Sequence, residues 1–350
     1  MRVAVVGASG NLGTSLLAAL ADDVRVGSVL AIARRRPELT FAKTEWHQAD
    51  IRTDDLTRLF RDADAVVHLA WAIQPSRDEA MLRSTNVDGS RRVLRATAEA
   101  GVPALVYASS VGAYSAGPKT RFVDESWPTD GIRTSFYSRH KAEVERMLDR
   151  FEQEHVDVRV VRMRPALIFK RGAASGIRRL FVGPFLPSPL LSPALAPFVP
   201  AHPQLRFQGV HSADVGDAFR RVLTRPVDGA FNLAAEPVLD GPELARLAGV
   251  RPIHVPRRLL RRVVEVTWRL HLQASPPGWV DLGFGVPLMD SGRARDTLGW
   301  RPTRTASEAL RELMNGMRDR AGMSTPPLSP QSGGPLRARE VASGLGERES

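Results

Sequence analysis

The chain opens on Arg2-Val-Ala-Val-Val6, apolar at successive rather than alternate positions, and breaks at once into glycines at 7, 10 and 13. A strand apolar on both faces suits the centre of a parallel sheet covered by helices on either side. The pattern then repeats. Asn11 to Ala21 reads as a helix, Val29 to Ala33 as a second strand, and Thr44 to Ala49 as a third, followed by a short helix to Phe60 with Thr53 as its N-cap. Ala63 to Ala70 gives a fourth strand, Glu79 to Ala100 a helix, Val102 to Ala108 a fifth strand, and Ser135 to Glu154 a further helix. Strands alternating with helices predict a right-handed βαβ series, hence an α/β fold with a doubly wound parallel sheet. Ligands of such a sheet lie at the C-terminal ends of its strands.

The later chain is less regular. Leu205 to Val210 and Ala230 to Ala234 read as strands, Ser212 as the cap of the helix between them, and Asp240 as the cap of a helix to Ala248. Pro256 to Leu272 is an apolar helix carrying Arg257, Arg258, Arg261, Arg262 and Arg269. It packs one face in the chain or lies on an anionic membrane. Leu180 to His202 holds no charged residue except the histidine, and prolines at 184, 187, 189, 193, 197 and 200 forbid a continuous, membrane-spanning helix. It is either a packed loop or a lid over an apolar ligand. Beyond Gly322 the Pro, Ser and Gly content without apolar period predicts a disordered tail. The expected organisation is a dinucleotide-binding Rossmann domain over 1–170, a smaller C-terminal substrate domain over 171–320 with segments returning to the sheet, and a tail over 321–350.

The dinucleotide expectation rests on position as much as on glycine. Gly7, Gly10 and Gly13 lie between a buried strand and a helix, where they would turn the backbone, admit a pyrophosphate and pack the helix on the strand. The second strand ends in Arg34, Arg35 and Arg36 with no acid. Arg34 and Arg35 therefore favour NADP, with its 2′-phosphate, over NAD. Further on, Tyr137 and Lys141 share one helical face four residues apart, after a strand that runs into Ser109 and Ser110. The chain has only three tyrosines, and its lysines are Lys43, Lys119, Lys141 and Lys170. An ammonium beside a phenol lowers the phenol's pKa and makes it a proton-transferring group near neutrality, while a serine hydroxyl orients the substrate oxygen.

Composition narrows the chemistry. The chain has no cysteine, which excludes disulfides, thiolate catalysis and Cys-ligated metal, and its histidines show no metal-ligand spacing. The net charge of +11 comes from arginines scattered along the chain without a nucleic-acid-binding signature, so nucleic acid is not expected as a partner. With no signal-peptide pattern at the N-terminus, a cytoplasmic location is expected.

Residues 1 to about 315 resemble the extended short-chain dehydrogenase/reductases, which include the NAD(P)-dependent epimerase/dehydratases and the hydroxysteroid-dehydrogenase-like enzymes. The resemblance is carried by Gly7-Ala-Ser-Gly10-Asn-Leu-Gly13, Ala49-Asp50-Ile51, His68-Leu69-Ala70, Thr85-Asn86-Val87-Asp88-Gly89, Ala108-Ser109-Ser110, Tyr137-x-x-x-Lys141 and Arg164-Pro165. It implies Ser110, Tyr137 and Lys141 as catalytic residues, with Ser109 as the alternative hydroxyl. It implies a cofactor held by Gly7, Ser9, Gly10, Asn11, Leu12, Gly13, Asp50 and Ile51 on the adenine side. Leu69, Ala70, Trp71, Asn86, Ala108 and Pro165 then flank it, and Lys141 bridges the nicotinamide ribose and Tyr137. Two departures bear on the substrate. Val111-Gly112 replaces the Asp-Glu pair that follows the catalytic hydroxyl in sugar-nucleotide dehydratases, and Phe169-Lys170-Arg171-Gly172 replaces the usual Tyr-Gly-Pro. The reaction implied is hydride transfer at a secondary alcohol or ketone, by itself or as part of an epimerisation, on a lipophilic substrate if the 180–202 segment is a lid. The alternatives are a sugar-nucleotide epimerase or reductase, and a dinucleotide-sensing regulator without turnover. A homodimer and a peripheral membrane contact stay open.

Overall fold

The computed structural model describes residues 1–74, 77–179 and 198–330. Its centre is a seven-stranded, wholly parallel sheet. Five strands are β1 (Arg2–Val6), β2 (Ser28–Ala33), β3 (Thr44–Gln48), β4 (Ala65–His68) and β5 (Ala104–Ala108). They are joined by Arg159–Pro165 and Gly229–Leu233. The spatial order runs Gly229–Leu233, Arg159–Pro165, β5, β4, β1, β2, β3. The order reverses at β1, so the crevice for a ligand opens beyond its C-terminal end, where Gly7 begins.

From Val3 to Val6, β1 is apolar at every position because both faces are covered. Val3 and Val5 enter one apolar cluster with Leu16 and Leu17 of helix α1 (Asn11–Ala21), while Ala4 and Val6 enter another with Phe60 and Val93. The edge strand β3 buries only Trp46. On the α1 face lies the helix Ser212–Leu223, whose Gly216 lets the two backbones meet: a Cβ there would lie 2.9 Å from the Ser15 backbone.

Several boundaries differ from the sequence expectation. Asp55, not Thr53, caps the short helix Leu56–Phe60 by accepting from the Arg58 N–H. The imidazole of His211 caps Ser212–Leu223, accepting from Ala213 N–H, because the Ser212 hydroxyl is turned to Asn11 O and Ser15 Oγ. The helix expected over 79–100 is continuous but widens into a π-turn at Ser84–Asp88. The 171–320 region is interleaved with the first domain, since Gly229–Leu233 completes the main sheet. A smaller sheet of Leu167–Phe169, Phe207–His211 and Ala235–Leu239 stands beside it.

Most of the 180–202 lid candidate lies outside the described residues. Its last part, Phe198–Ala201, pairs in parallel with Arg251–His254. The first ten residues of the expected tail, 321–330, fold back on the body instead of leaving it. Leu328 is buried, Ser175 donates to Ala321 O, and Met323 Sδ lies 3.8 Å from the Thr14 hydroxyl. Apolar Met323 and Leu328 supply the anchorage that the Pro, Ser and Gly content hides. The rest, 331–350, lies outside the described residues.

Candidate active site

The glycine loop divides its labour. Gly7 has φ of +84°, and a Cβ on it would lie 2.5 Å from Ala70 N; a Cβ on Gly13 would lie 2.4 Å from Ala8 O. Both glycines are therefore demanded by the chain's own packing. Gly10 is not: its Cβ would meet only Gly7 O, at 3.4 Å, and would otherwise fill the space in front of α1. Gly10 caps α1 without a side chain, leaving the first N–H groups of the helix to face that space. Such a cradle fits a dinucleotide pyrophosphate. Ser9 is half-buried at its rim, whereas the Leu12 side chain belongs to the core and leaves only its backbone at the loop. Asn11 donates to Ile168 O, and its Oδ1 is buried without a partner. Lys170, which no motif singled out, pins the loop from behind. Its Nζ donates to Thr14 Oγ1 at 2.7 Å, Ser15 Oγ at 3.1 Å and Asn11 O at 3.3 Å, and burial pushes it down to about 8. Its place among only four lysines was the available signal.

At the end of β2, Arg34 is half-buried and forms no hydrogen bond or ion pair among the described residues; Arg35 is exposed. Burial lowers the Arg34 pKa, against the pull of the Asp50 carboxylate. Asp50 is itself gripped by Arg52, through Nη2 at 2.8 Å and Nε at 3.1 Å. Ile51 is buried under Gly89, where a Cβ would lie 2.7 Å from its Cδ1. Asn86 spends both ends of its amide on Ala72, accepting from its N–H at 2.7 Å and donating to its O at 2.8 Å. That fixes the Leu69-Ala70-Trp71 rim, so Asn86 shapes the crevice rather than lining it. Pro165 is buried at the end of its strand.

Ser110, Tyr137 and Lys141 come together beyond β5. Ser135 caps the helix Phe136–Glu154, and Ser138 ties its first turn to Ile132 N and Gly112 O. Ser110 and Tyr137 meet over Gly112, where a Cβ would lie 3.4 Å from Ser110 Oγ, and that Oγ accepts from Gly112 N–H at 3.0 Å. Ser109 is committed elsewhere, its hydroxyl donating to the buried Glu145 carboxylate at 2.5 Å, which leaves Ser110 as the hydroxyl that faces the tyrosine. Gly112 is the close-approach glycine here: a Cβ would lie 2.7 Å from Tyr137 Cε1. Gly112→Ala is expected to push the ring off Ser110 and lower kcat at least tenfold, at an overpacking cost of ~1–3 kcal/mol, with dinucleotide affinity little changed. Steady-state kinetics and equilibrium titration check it.

The charge balance differs from the expected one. Burial raises the Tyr137 pKa, and Ser110 pulls it partly back. Lys141 Nζ donates to Ala108 O at 2.7 Å and to the Tyr107 hydroxyl at 3.2 Å, and sits 3.6 Å from the centre of the Trp71 ring. Burial lowers its own pKa well below the ordinary value, opposed by Glu145. Burial and Lys141 together push the neighbouring His68 down to about 3, so that imidazole is neutral.

Two aromatic rings wall the phenol, with a third behind them. Trp279 lies 5.0 Å from Tyr137 between ring centres, Trp71 5.9 Å, and Phe136 stands edge-on to Trp279. Trp71 Nε1 is buried without a hydrogen-bond partner. Neither Trp279 nor Glu145 was marked in the sequence, although Glu145 follows Lys141 at helical spacing on the same face.

A doubly wound sheet with a glycine loop at its switch point and a Ser, Tyr and Lys cluster beyond the fifth strand defines a Rossmann-type nucleotide enzyme. Residues 3–234 match the NAD dependent epimerase/dehydratase family, and the chain belongs to that family. An uncharacterized protein of Mycobacterium tuberculosis is 30% identical over 92% of this chain; the match spans only 31% of that relative's own length. A decarboxylating sterol-4-alpha-carboxylate 3-dehydrogenase of Saccharomyces cerevisiae is 29% identical over 49% of this chain and 52% of its own. Among solved structures, the UDP-glucose 4-epimerase of Thermotoga maritima superposes with a TM-score of 0.69 at 19% identity, covering 91% of this chain and 99% of that one. The Thermus thermophilus UDP-glucose 4-epimerase complex with NAD gives 0.66 at 21% identity, covering 91% and 99%.

Proposed function

We propose that the chain is an NAD(P)-dependent oxidoreductase that interconverts a secondary alcohol and a ketone on a lipophilic substrate. The observation that carries this reading is the meeting of Ser110 and Tyr137 over Gly112 at the C-terminal end of the sheet, with Trp71 in contact with both Tyr137 and buried Lys141. A protein that only senses dinucleotide has no use for that trio. When bound, the dinucleotide supplies or accepts the hydride. Ser110 Oγ and the Tyr137 hydroxyl hold the substrate oxygen, and Tyr137 passes the proton to or from it.

Half-buried and unpaired, Arg34 supports NADP over NAD by offering a bidentate partner to a 2′-phosphate, although the solved epimerase noted above holds NAD. Arg34→Ser is expected to weaken NADPH binding by roughly 1.5–3 kcal/mol, the value of a charged hydrogen bond, and to leave NADH unchanged. Fluorescence titration with both reduced cofactors checks it. Equal losses for the two would show that Arg34 reads no 2′-phosphate.

For the substrate, the supporting feature is the pair of Trp71 and Trp279 rings against Tyr137, which offers apolar area where a diphosphate would need cations. The likeness to the yeast sterol dehydrogenase supports the same class, over half the chain. Sugar nucleotides are the second reading, carried by the solved epimerases of the same fold. Thermal-shift measurements with NADPH present separate them: steroid and prenyl ketones should raise Tm, and stabilisation by UDP- or GDP-sugars alone would refute the lipophilic assignment.

A further inference from the structure

The helix Arg257–Arg269 buries none of its residues. Leu259, Val263, Val266 and Leu270 follow one another at helical spacing and are 54%, 51%, 47% and 62% exposed, so they form one apolar stripe open to solvent. Arg258, Arg262 and Arg269 run along its flank at the same period. The opposite face is docked. Arg257 and Arg261 reach Asp281 at 3.4 and 3.0 Å, and Arg77 stacks 4.5 Å over the Trp268 ring. Arg258 and Arg262 make no ion pair among the described residues, and the helix carries a single acid, Glu265, which pairs with Arg269 and Arg261. Phe198 and Ile253, both exposed, lie on the strand pair that leads into this helix.

We infer that this helix docks the protein on an anionic lipid bilayer, lying flat with Leu259, Val263, Val266 and Leu270 at the acyl boundary and Arg258, Arg262 and Arg269 among the headgroups. Charge complementarity chooses the occupant. An apolar stripe with an arginine flank matches a surface that is apolar below and negative above. A second copy of the chain would instead bring the same arginines against each other, with only Glu265 to answer them. The placement also serves the crevice: Asp281, which anchors the helix, lies on Gly278–Gly285, the helix whose Trp279 packs on Tyr137.

Co-sedimentation of the full chain with vesicles tests this. The protein should bind phosphatidylcholine vesicles containing phosphatidylglycerol, and bind pure phosphatidylcholine at least tenfold more weakly. Val263→Asp/Val266→Asp and Arg258→Ser/Arg262→Ser should each lose tenfold or more of that binding with unchanged circular dichroism and Tm, since these side chains face solvent. Arg146→Ser/Arg150→Ser removes the same charge from exposed positions on another helix and should change nothing. Equal losses in the two arginine pairs would reduce the effect to overall charge and overturn the site. So would absence of vesicle binding together with a concentration-dependent dimer that Val263→Asp/Val266→Asp dissolves.

Discussion

Tyr137→Phe should lower turnover by roughly a hundred- to ten-thousand-fold, the usual worth of a positioned proton-transfer group, while dinucleotide affinity stays nearly unchanged. Only the hydroxyl is lost. The ring keeps its contacts with Trp71 and Trp279 and its place against Gly112, so the fold and the cofactor cradle have no reason to move. Equilibrium titration with NADPH and single-turnover kinetics read the two quantities apart. Lys141→Arg should fail as well, because a planar guanidinium does not fit the compact site between Ala108 O and the Trp71 face.

Glu145 carries the second large effect, on stability rather than chemistry. Its carboxylate is fully buried and takes Arg164 through Nε at 2.9 Å and Nη2 at 3.0 Å, Arg162 at 3.2 Å and the Ser109 hydroxyl at 2.5 Å. Arg164 in turn donates to the Tyr114 hydroxyl, which burial pushes up to about 12, and Tyr114 donates to Asn232. Glu145→Gln keeps the shape and removes the charge. Buried Arg164 then loses its one ion-pair partner among the described residues, while Arg162 keeps Asp149 and Glu152, and breaking a buried pair in this way costs about 3–5 kcal/mol. Urea denaturation of the variant measures it.

The pH dependence follows from the same carboxylate. Burial pushes Glu145 up, but Arg164 and then Arg162 and Ser109 outweigh it, so its folded pKa lies below the ordinary value. A depressed acid contributes stability above its unfolded pKa and loses that contribution as pH falls through the folded one. The wild-type chain should therefore lose stability on acidification more steeply than Glu145→Gln, the two curves converging at low pH.

Much of this arrangement can be read from residues alone, for physical reasons that differ from place to place. The sheet is legible because β1, β2 and β4 are apolar at consecutive positions, a pattern only two-sided burial produces. Tyr137 and Lys141 are legible because tyrosine and lysine are scarce here and helical spacing brings them together. Ser110 and Ser109 cannot be told apart by sequence spacing, since the choice is made by Glu145, a residue 36 positions away from Ser109. The Tyr137 pKa is raised and not lowered, because burial of the ring, which helical spacing does not show, outweighs its polar neighbours. Helical spacing sets a shared face, but Ala108 O, Tyr107 and Trp71 decide where on it the Lys141 ammonium comes to rest. Caps at Asp55 and His211 went to other residues than expected because several polar side chains crowd each helix start, and tertiary partners such as Asn11 and Ser15 claimed the nearer one.

The central claim is that hydride passes between a dinucleotide in the Gly10 cradle and a lipophilic carbonyl held by Ser110 and Tyr137. It is tested most directly by label transfer from NADPH deuterated at nicotinamide C4, with mixed steroid and prenyl ketones and, in parallel, keto-sugar nucleotides as acceptors, the alcohols being analysed by mass spectrometry. The account predicts one deuterium on the carbinol carbon with the wild-type chain and none above background with Tyr137→Phe. Equal labelling by the two proteins, or labelling confined to keto-sugar nucleotides, would contradict it.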